Sequence, residues 1–345
     1  MRRGRASSSI RRIRSEFYLG VWQAAADRIG AAARRLDDDV VEIRRDEFRV
    51  RVRQNETPLD DYVTVQVAND KPLTYRLLDE AGLPIPEHAR FEFPDLRPAM
   101  AFLDDRRDRC VVKPAKNTGG GIGITTGVST HRQLALASAA AAVYGRDLLI
   151  EQQVPGENFR LLYLDGRLLD AVVRGAPSVE GDGRSTIAEL LERANAARLD
   201  RGRTAGQSLV ESDLEMRRTL ASQGLALHSR PPDGQKVQLK TVVNDNCGSD
   251  NIAAADRLCP SLIADGARAA AAVGVRLAGV DVITSDPSVP LAESRGVILE
   301  VNTSPGHHWH YHQRDGVFPV AEHVLEALLD DHHFRTSRPD ALISN

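Results

Sequence analysis

Two groups of residues, far apart in the chain, have the types and spacing of a phosphate site. In the first, Val111-Val112-Lys113-Pro114 runs into Thr118-Gly119-Gly120-Gly121-Ile122-Gly123. A strand that delivers a lysine to a loop of small residues lets backbone N–H groups approach phosphate oxygens while the ammonium neutralises their charge. The pattern is neither the Walker sequence nor the dinucleotide fingerprint, because no Gly-Lys-Ser/Thr follows and no helix opens on the glycines. Taken alone it also reads as a glycine-rich turn of a surface hairpin, the commoner use of such a stretch. In the second group, Asp281 lies in Gly279-Val280-Asp281-Val282, and Glu300 and Asn302 lie in Ile298-Leu299-Glu300-Val301-Asn302. Alternation along a strand puts Glu300 and Asn302 on one side, where Asp281 of a neighbouring strand can join them. Two carboxylates and an amide oxygen form the hard, all-oxygen set that magnesium prefers, with water and substrate phosphates completing its shell. The alternative is strand-end acids turned to solvent.

These residues need strands and loops to position them, and the patterns supply both. Apolar spacing from Glu16 to Arg35 predicts one long helix, closed by Asp37-Asp38-Asp39. Val40 to Arg53 alternates as short strands, which predicts a small N-terminal unit over residues 1–65. Lys71 to Ala81 reads as a helix stopped at Gly82, with Pro84 and Pro86 holding the next stretch extended. The strand Arg109–Lys113, the helix His131–Tyr144 and the strand Leu148–Gln152 complete a compact α+β lobe over 66–150. A longer lobe over 151–330 is predicted to hold a hairpin around Asp165-Gly166 and a helix capped by Ser185 or Thr186 with Glu189. Further along it are strands Gln235–Val243, Gly279–Thr284 and Gly296–Val301, and helices Ala264–Val273 and Val320–Leu329; residues 331–345 form a tail. The fold class predicted is α/β, built from α+β lobes around a shared cleft.

The order Asp70-Lys71-Pro72-Leu73-Thr74, Val112-Lys113-Pro114 with its glycine loop, Glu151 with Pro155-Gly156, Asp281, then Glu300-Val301-Asn302-Thr303-Ser304-Pro305-Gly306 resembles the ATP-grasp carboxylate–amine ligases. Within them, Gly181-Asp182-Gly183-Arg184-Ser185-Thr186-Ile187-Ala188-Glu189-Leu190 is similar to the branch of cyanophycin synthetase and bifunctional glutathione synthetase. The resemblance spans residues 65 to 330 and implies an ATP-grasp fold, two lobes clamping ATP. It implies that Lys71 and Lys113 hold ATP phosphates under a mobile loop comprising Thr118, Gly119, Gly120, Gly121 and Gly123. Glu151 then sits at the hinge beside the adenine, where Gln152 to Val154 supply backbone contacts. Asp281, Glu300 and Asn302 hold two Mg2+ ions, for which Mn2+ can substitute, and Arg160 and Arg174 face phosphate or substrate carboxylate. The expected partners are a small-molecule carboxylate and amine, joined through an acyl phosphate, in an oligomer of identical chains. A carboxylate kinase or a catalytically silent ATP-binding module of the same fold is the alternative.

The chain departs from the family pattern in three ways. Asn158 stands where an acidic residue often meets the ribose, so Asn158 or Glu157 is expected there. Leu239-Lys240 replaces a Leu-Arg, which keeps the charge but loses the carboxylate-matching fork. The loop that follows, with Asn244, Asn246, Gly248 and Ser249, is expected to help define the acceptor, while Arg174, Arg160 or Lys240 stabilises the oxyanion. Third, no Mur-ligase-like domain follows and no glutamate–cysteine ligase domain precedes, so a polymerising or complete glutathione-making enzyme is not expected. Ser304, Gly306, His307 and His310 are expected to line the substrate end. The run His307, His308, His310, His312 also admits a transition-metal site or simple packing.

Composition narrows the class further. With 42% hydrophobic and 27% charged residues and no apolar run of membrane-spanning length, a soluble globular protein is expected. A net charge of -3 disfavours a broad nucleic-acid surface. Cys110, Cys247 and Cys259 are odd in number and lack a CxxC pair, which points to a reducing, cytoplasmic setting, and Cys247 has no partner pattern for a nucleophile. The Arg- and Ser-rich start reads as a basic lead into a helix rather than a transit peptide. Lysine occurs only at 71, 113, 116, 236 and 240 among 45 basic residues, which draws attention to each one.

Overall fold

The computed structural model describes residues 2–119, 121–199, 209–241, 251–311 and 316–331. Helix α1 (Arg2–Arg28) buries Tyr18, Val21, Trp22, Ala25 and Ala26, which recur at three- and four-residue spacing on one face. It stops where Gly30 takes φ +67°, a left-handed conformation that glycine adopts without steric cost. The chain then forms the antiparallel sheet β1 (Ala32–Arg35), β2 (Val40–Arg45) and β3 (Phe48–Arg53). The expected helix from Glu16 to Arg35 is therefore corrected at both ends, beginning fourteen residues earlier and giving its last four to a strand. In β3, Phe48, Val50 and Val52 turn inward while Arg49, Arg51 and Arg53 turn to solvent.

Helix α2 (Tyr62–Ala68) is capped by Asp61, and α3 (Lys71–Glu80) by Asp70 with Pro72 in its first turn. Next come β4 (His88–Glu92), α4 (Arg97–Asp104), β5 (Cys110–Pro114), β6 (Thr125–Val128), α5 (His131–Ala142) and β7 (Asp147–Gln152). The four strands form an antiparallel sheet in the order β4-β7-β5-β6. One face packs Cys110, Val112, Leu148 and Ile150 against Phe102 and Leu103 of α4 and Leu134 of α5. Strict alternation sends Val111, Lys113 and Glu151 to the other face.

The second half contains β8 (Glu157–Leu164), β9 (Arg167–Arg174), β10 (Ser178–Glu180), α6 (Ile187–Arg198), α7 (Leu214–Ser222), β11 (Lys236–Gln238), β12 (Asn251–Ala253) and α8 (Pro260–Val273). It ends with β13 (Leu277–Thr284), α9 (Leu291–Ser294), β14 (Val297–Thr303), α10 (His308–Tyr311) and α11 (Val320–Asp330). The large sheet is antiparallel in the order β12-β9-β8-β13-β14. Phe159, Leu161, Val280 and Val282 on one face pack with Leu262 and Ala269 of α8 and Tyr75 and Leu78 of α3. The opposite face changes character along its length. Leu162, Leu164 and Leu277 join α1, the first sheet and α11 in a common core, while Arg160, Asp281 and Glu300, further along the same strands, are charged. Between the large strands, β10, β11, α6 and α7 enclose a small core of Val179, Ile187, Leu190, Met216, Leu220 and Val237. The Thr186–Glu189 capping box opens α6 as the sequence predicts. The expected strand Gln235–Val243 shortens to β11, and the tail beyond Asp331 lies outside the described residues.

Candidate functional site

Between the four-stranded and five-stranded sheets lies a cleft of about 520 Å³. Lys71, Lys113, Gly121, Glu151, Gln152, Val154, Asn158, Arg160, Arg174, Asp281, Glu300 and Asn302 all line it. Both sequence groups thus reach one space, from different sheets. Gly156, in the segment joining β7 to β8, takes φ +144° and passes so close to the end of β13 that a Cβ would stand 2.5 Å from the Thr284 carbonyl. Only a glycine lets the two backbones approach this far.

On the smaller sheet, Lys113 of β5 and Glu151 of β7 lie diagonally across the strand pair and form a buried ion pair, Nζ to Oε2 2.7 Å. The Tyr75 hydroxyl closes the group, accepting from Lys113 Nζ at 2.9 Å and donating to Glu151 Oε2 at 2.9 Å. Burial and the adjacent Glu151 carboxylate push the Tyr75 phenol well above its ordinary range, so it remains a fixed donor. Sequence reasoning missed Tyr75, although it lies one helical turn from Lys71 on α3 and so shares its face. Lys71 donates to the Thr118 carbonyl at 2.9 Å and stands 3.6 Å from Glu300 Oε1.

On the larger sheet the register sets Asp281 opposite Arg160 on β8 and opposite Glu300 on β14, with Gly279 opposite Asn302. Arg160 grips Asp281 in a two-pronged hydrogen bond, and Arg174 Nη2 reaches the same carboxylate at 2.9 Å while its Nε donates to Asn158 Oδ1 at 2.9 Å. A side chain at Gly279 would meet Arg160 Nη1 at 3.0 Å and Pro305 at 2.9 Å, so that glycine makes room for the guanidinium. Asp281, Glu300 and Asn302 offer oxygen donors from paired strands, a set suited to a hard divalent cation. The two guanidiniums do not exhaust Asp281, since an ionised carboxylate has about four lone-pair sites. The residues present therefore fit Mg2+. Among the described residues no three His, Cys, Asp or Glu side chains converge on a metal position.

Several expected residues lie elsewhere. Lys240 is buried, but its ammonium is held by Asp213 and lies 3.8 Å from Glu215, inside the small α6–α7 unit rather than in the cleft. His307 and His310 are fully enclosed and do not line the cleft either. His307 packs edge-on against Tyr18 and Trp22 of α1, and His310 Nδ1 bonds Asp170 Oδ2 at 2.7 Å. Burial, then the neighbouring His310 and His308, pull the His307 imidazole down to about 3, so it is neutral. The sequence offered no way to see that α1 would cover this run. Ser304 is tied through its carbonyl to the Asn55 amide, and Gly306 packs on His308; neither lines the cleft. Thr118, Gly119 and Gly123 flank the cleft without lining it, and a Cβ on Gly123 would strike Pro114 and Tyr144 at under 3 Å. Gly120, Asn244, Asn246, Gly248, Ser249, Cys247 and His312 fall outside the described residues. Cys110 is buried, and Cys259 caps α8 by accepting from Leu262 N.

The cleft is bridged on its outer side. Thr126 of β6 meets Thr241 through their hydroxyls, and Arg218 of α7 donates to the Gly127 carbonyl at 2.9 Å. Among the described residues no helix is long and apolar enough to cross a membrane.

No family model matches the chain. It is 32% identical over 271 residues to the cyanophycin synthetase of Trichormus variabilis, covering 77% of this chain and 29% of that protein. It is 30% identical over 262 residues to the glutathione biosynthesis bifunctional protein GshAB of Streptococcus mutans, covering 74% and 34%. The chain thus spans about a third of the length of the curated relatives it matches. Among solved structures, the bifunctional glutathione synthetase of Pasteurella multocida superposes with a TM-score of 0.57 at 25% identity, covering 90% of this chain and 44% of that one.

Proposed function

The chain has the ATP-grasp fold and is a relative of the cyanophycin synthetases and bifunctional glutathione synthetases, and on that premise we propose that it is an ATP-dependent ligase joining a carboxylate to an amine. The observation that carries the reading is the convergence of Lys71, Lys113 and Glu151 from one side, and Arg160, Arg174, Asp281, Glu300 and Asn302 from the other, on a single cleft. The reaction is in-line transfer of the γ-phosphoryl group to the carboxylate, then attack of the amine on the acyl phosphate with release of phosphate.

Lys71 and Lys113 hold the phosphates. Tyr75 and Glu151 fix the Lys113 ammonium, so its direction is set before any ligand arrives. The segment Gln152 to Val154, which lines the cleft, receives the adenine, and Asn158, which lines it too, meets the sugar. Asp281, Glu300 and Asn302 would hold Mg2+, which supplies charge neutralisation at the transferring phosphoryl group. Arg160 and Arg174, pinned by Asp281, aim at the carboxylate and at the oxyanion of the tetrahedral step. Approach of the Thr126 and Thr241 walls excludes the water that would hydrolyse an acyl phosphate. Two amino acids giving a dipeptide or a γ-glutamyl amide are the favoured pair, with a peptide or natural-product acceptor second, and the cytoplasm is the proposed setting.

The test is ADP release over all pairs of common amino acids with mass detection of products, repeated with hydroxylamine in place of the amine. The reading expects ADP and an amide with at least one pair, and a hydroxamate when hydroxylamine replaces the amine. A hydroxamate with no amide from any pair turns the reading to a carboxylate kinase. ADP at background across the whole panel sinks the enzyme reading.

A further inference from the structure

A second pocket, of about 330 Å³, opens beside the cleft and shares the walls Thr126, Gln153 and Thr241 with it. Two guanidiniums enter this pocket from different parts of the fold. Arg109 precedes β5 on the four-stranded sheet, and Arg218 stands on α7. Among the described residues no carboxylate lines the pocket. The remaining walls are small or neutral polar groups, chiefly Ser129, Gln133 and Ser222. Gln133 and Gln153 accept through their side-chain oxygens from Ser129 N and Gly127 N, both at 2.8 Å, which leaves their amide NH2 groups as donors. Glu215, an acid behind the wall, is engaged by Thr241 N at 2.7 Å and stands 3.8 Å from Lys240.

Two like charges facing one cavity repel unless something negative lies between them. The effect is visible at Arg218, whose guanidinium is pulled below its ordinary range by burial and then by the charge of Arg109. Lys113 and Lys71 of the cleft have acid partners of their own, Glu151 and Glu300, whereas this pair faces none among the described residues of the pocket. We propose that the side pocket is an oxyanion subsite in which one carboxylate or phosphate group bridges Arg109 and Arg218. Such a group would join the four-stranded sheet to the α6–α7 unit at the mouth of the cleft, next to the contacts Thr126–Thr241 and Arg218–Gly127. On the ligase reading above, an acidic group of the acceptor would occupy it; the site itself does not depend on that reading.

The test is calorimetric titration of the full chain with two probes, inorganic phosphate and the dipeptide Asp-Asp, the second controlled by Ala-Ala. Lys113→Ala is the background, because it removes one of the two lysines proposed to hold phosphate in the main cleft and so weakens binding there. The expected result is a site that survives in Lys113→Ala and weakens by about tenfold or more on adding either Arg109→Ala or Arg218→Ala, since each removes one charge-assisted partner. Binding of phosphate assigns a free ion as the ligand, and binding of Asp-Asp without Ala-Ala assigns an acidic substrate; either supports the subsite. If neither probe binds, or if both arginine variants bind as well as their parent, the proposal falls. Because the two arginines lie on separate elements, misfolding of one variant leaves the other to decide. ATP titrated into the wild-type chain reports on the ligase reading separately, and its failure there would leave the oxyanion result standing.

Discussion

At the scale of single residues, the charged groups of the cleft differ in how firmly the fold holds them. Tyr75 contributes one hydroxyl, yet that hydroxyl ties Lys113 to Glu151 with bonds of 2.9 Å on each side. Tyr75→Phe leaves the 2.7 Å ion pair in place but frees the ammonium to turn. The expected loss is about tenfold in kcat/KM for ATP, close to the ~1 kcal/mol of a typical hydrogen bond, with little change in melting temperature. Steady-state ADP release checks it. Asp281 and Glu300, neighbours across β13 and β14, should separate in a different way. Asp281→Asn strips the countercharge from two buried guanidiniums and should cost about 3–5 kcal/mol in urea unfolding. Glu300→Gln, at a half-exposed position 3.6 Å from Lys71, should cost about 1 kcal/mol or less while abolishing magnesium-dependent ADP formation. Equal stability losses in the two variants would contradict the arrangement described.

At the scale of elements, the glycine between β7 and β8 is the most constrained joint. Gly156→Ala must relieve a 2.5 Å contact with the Thr284 backbone, which no rotamer can do, and should destabilise by about 1–3 kcal/mol. Because this joint carries Gln152 to Val154, the KM for ATP should rise with it. A variant with unchanged melting temperature and KM would show that the joint is slack. Much of this level was legible in the sequence. Helix α3, the Asp165-Gly166 hairpin, the Thr186 capping box and the strands carrying Lys113, Asp281 and Glu300 follow from local signals of period, cap and turn. The errors came where local pattern is weak or is overruled. Ala32–Arg35 carries no alternation of its own and pairs with β2 only because Gly30 has turned the chain back. Short strands such as β4, β6 and β12 are specified by their neighbours in the sheet rather than by their residues. In the site, motif residues were readable because their spacing repeats a family pattern. Tyr75, Arg109 and Arg218 were not, since what they do depends on which elements meet in space.

At the scale of the whole molecule, the N-terminal unit is not an appendage. Helix α1, the first sheet and α11 share one core with Leu162, Leu164 and Leu277 of the large sheet, and His307 is sealed inside that seam. An imidazole held near 3 in the folded state takes up its proton at about 6.5 when the chain unfolds. Between these values the unfolded state binds the extra proton, so stability falls as pH falls through this window, by up to ~1.4 kcal/mol per pH unit for one group. Melting temperature should therefore drop from about pH 7 to about pH 5, and His307→Phe should flatten that drop. An identical slope in the variant would show that His307 is not the source of the loss.

The paired charges of the cleft have one more consequence. Lys113 has Glu151, Arg160 and Arg174 have Asp281, Lys71 has Glu300, and even Glu157 at the rim has Arg257. Among the described residues these five cations face four carboxylates, with Asp281 shared by two guanidiniums, so every one of these charges already has a partner of opposite sign. Whatever enters does so by exchanging partners, displacing a carboxylate from a cation it already holds. A lone divalent cation would find its carboxylates engaged by guanidinium and ammonium groups. A polyanion that carries its own cation can relieve both sides together, which makes the order of arrival a property of the resting charge pairs.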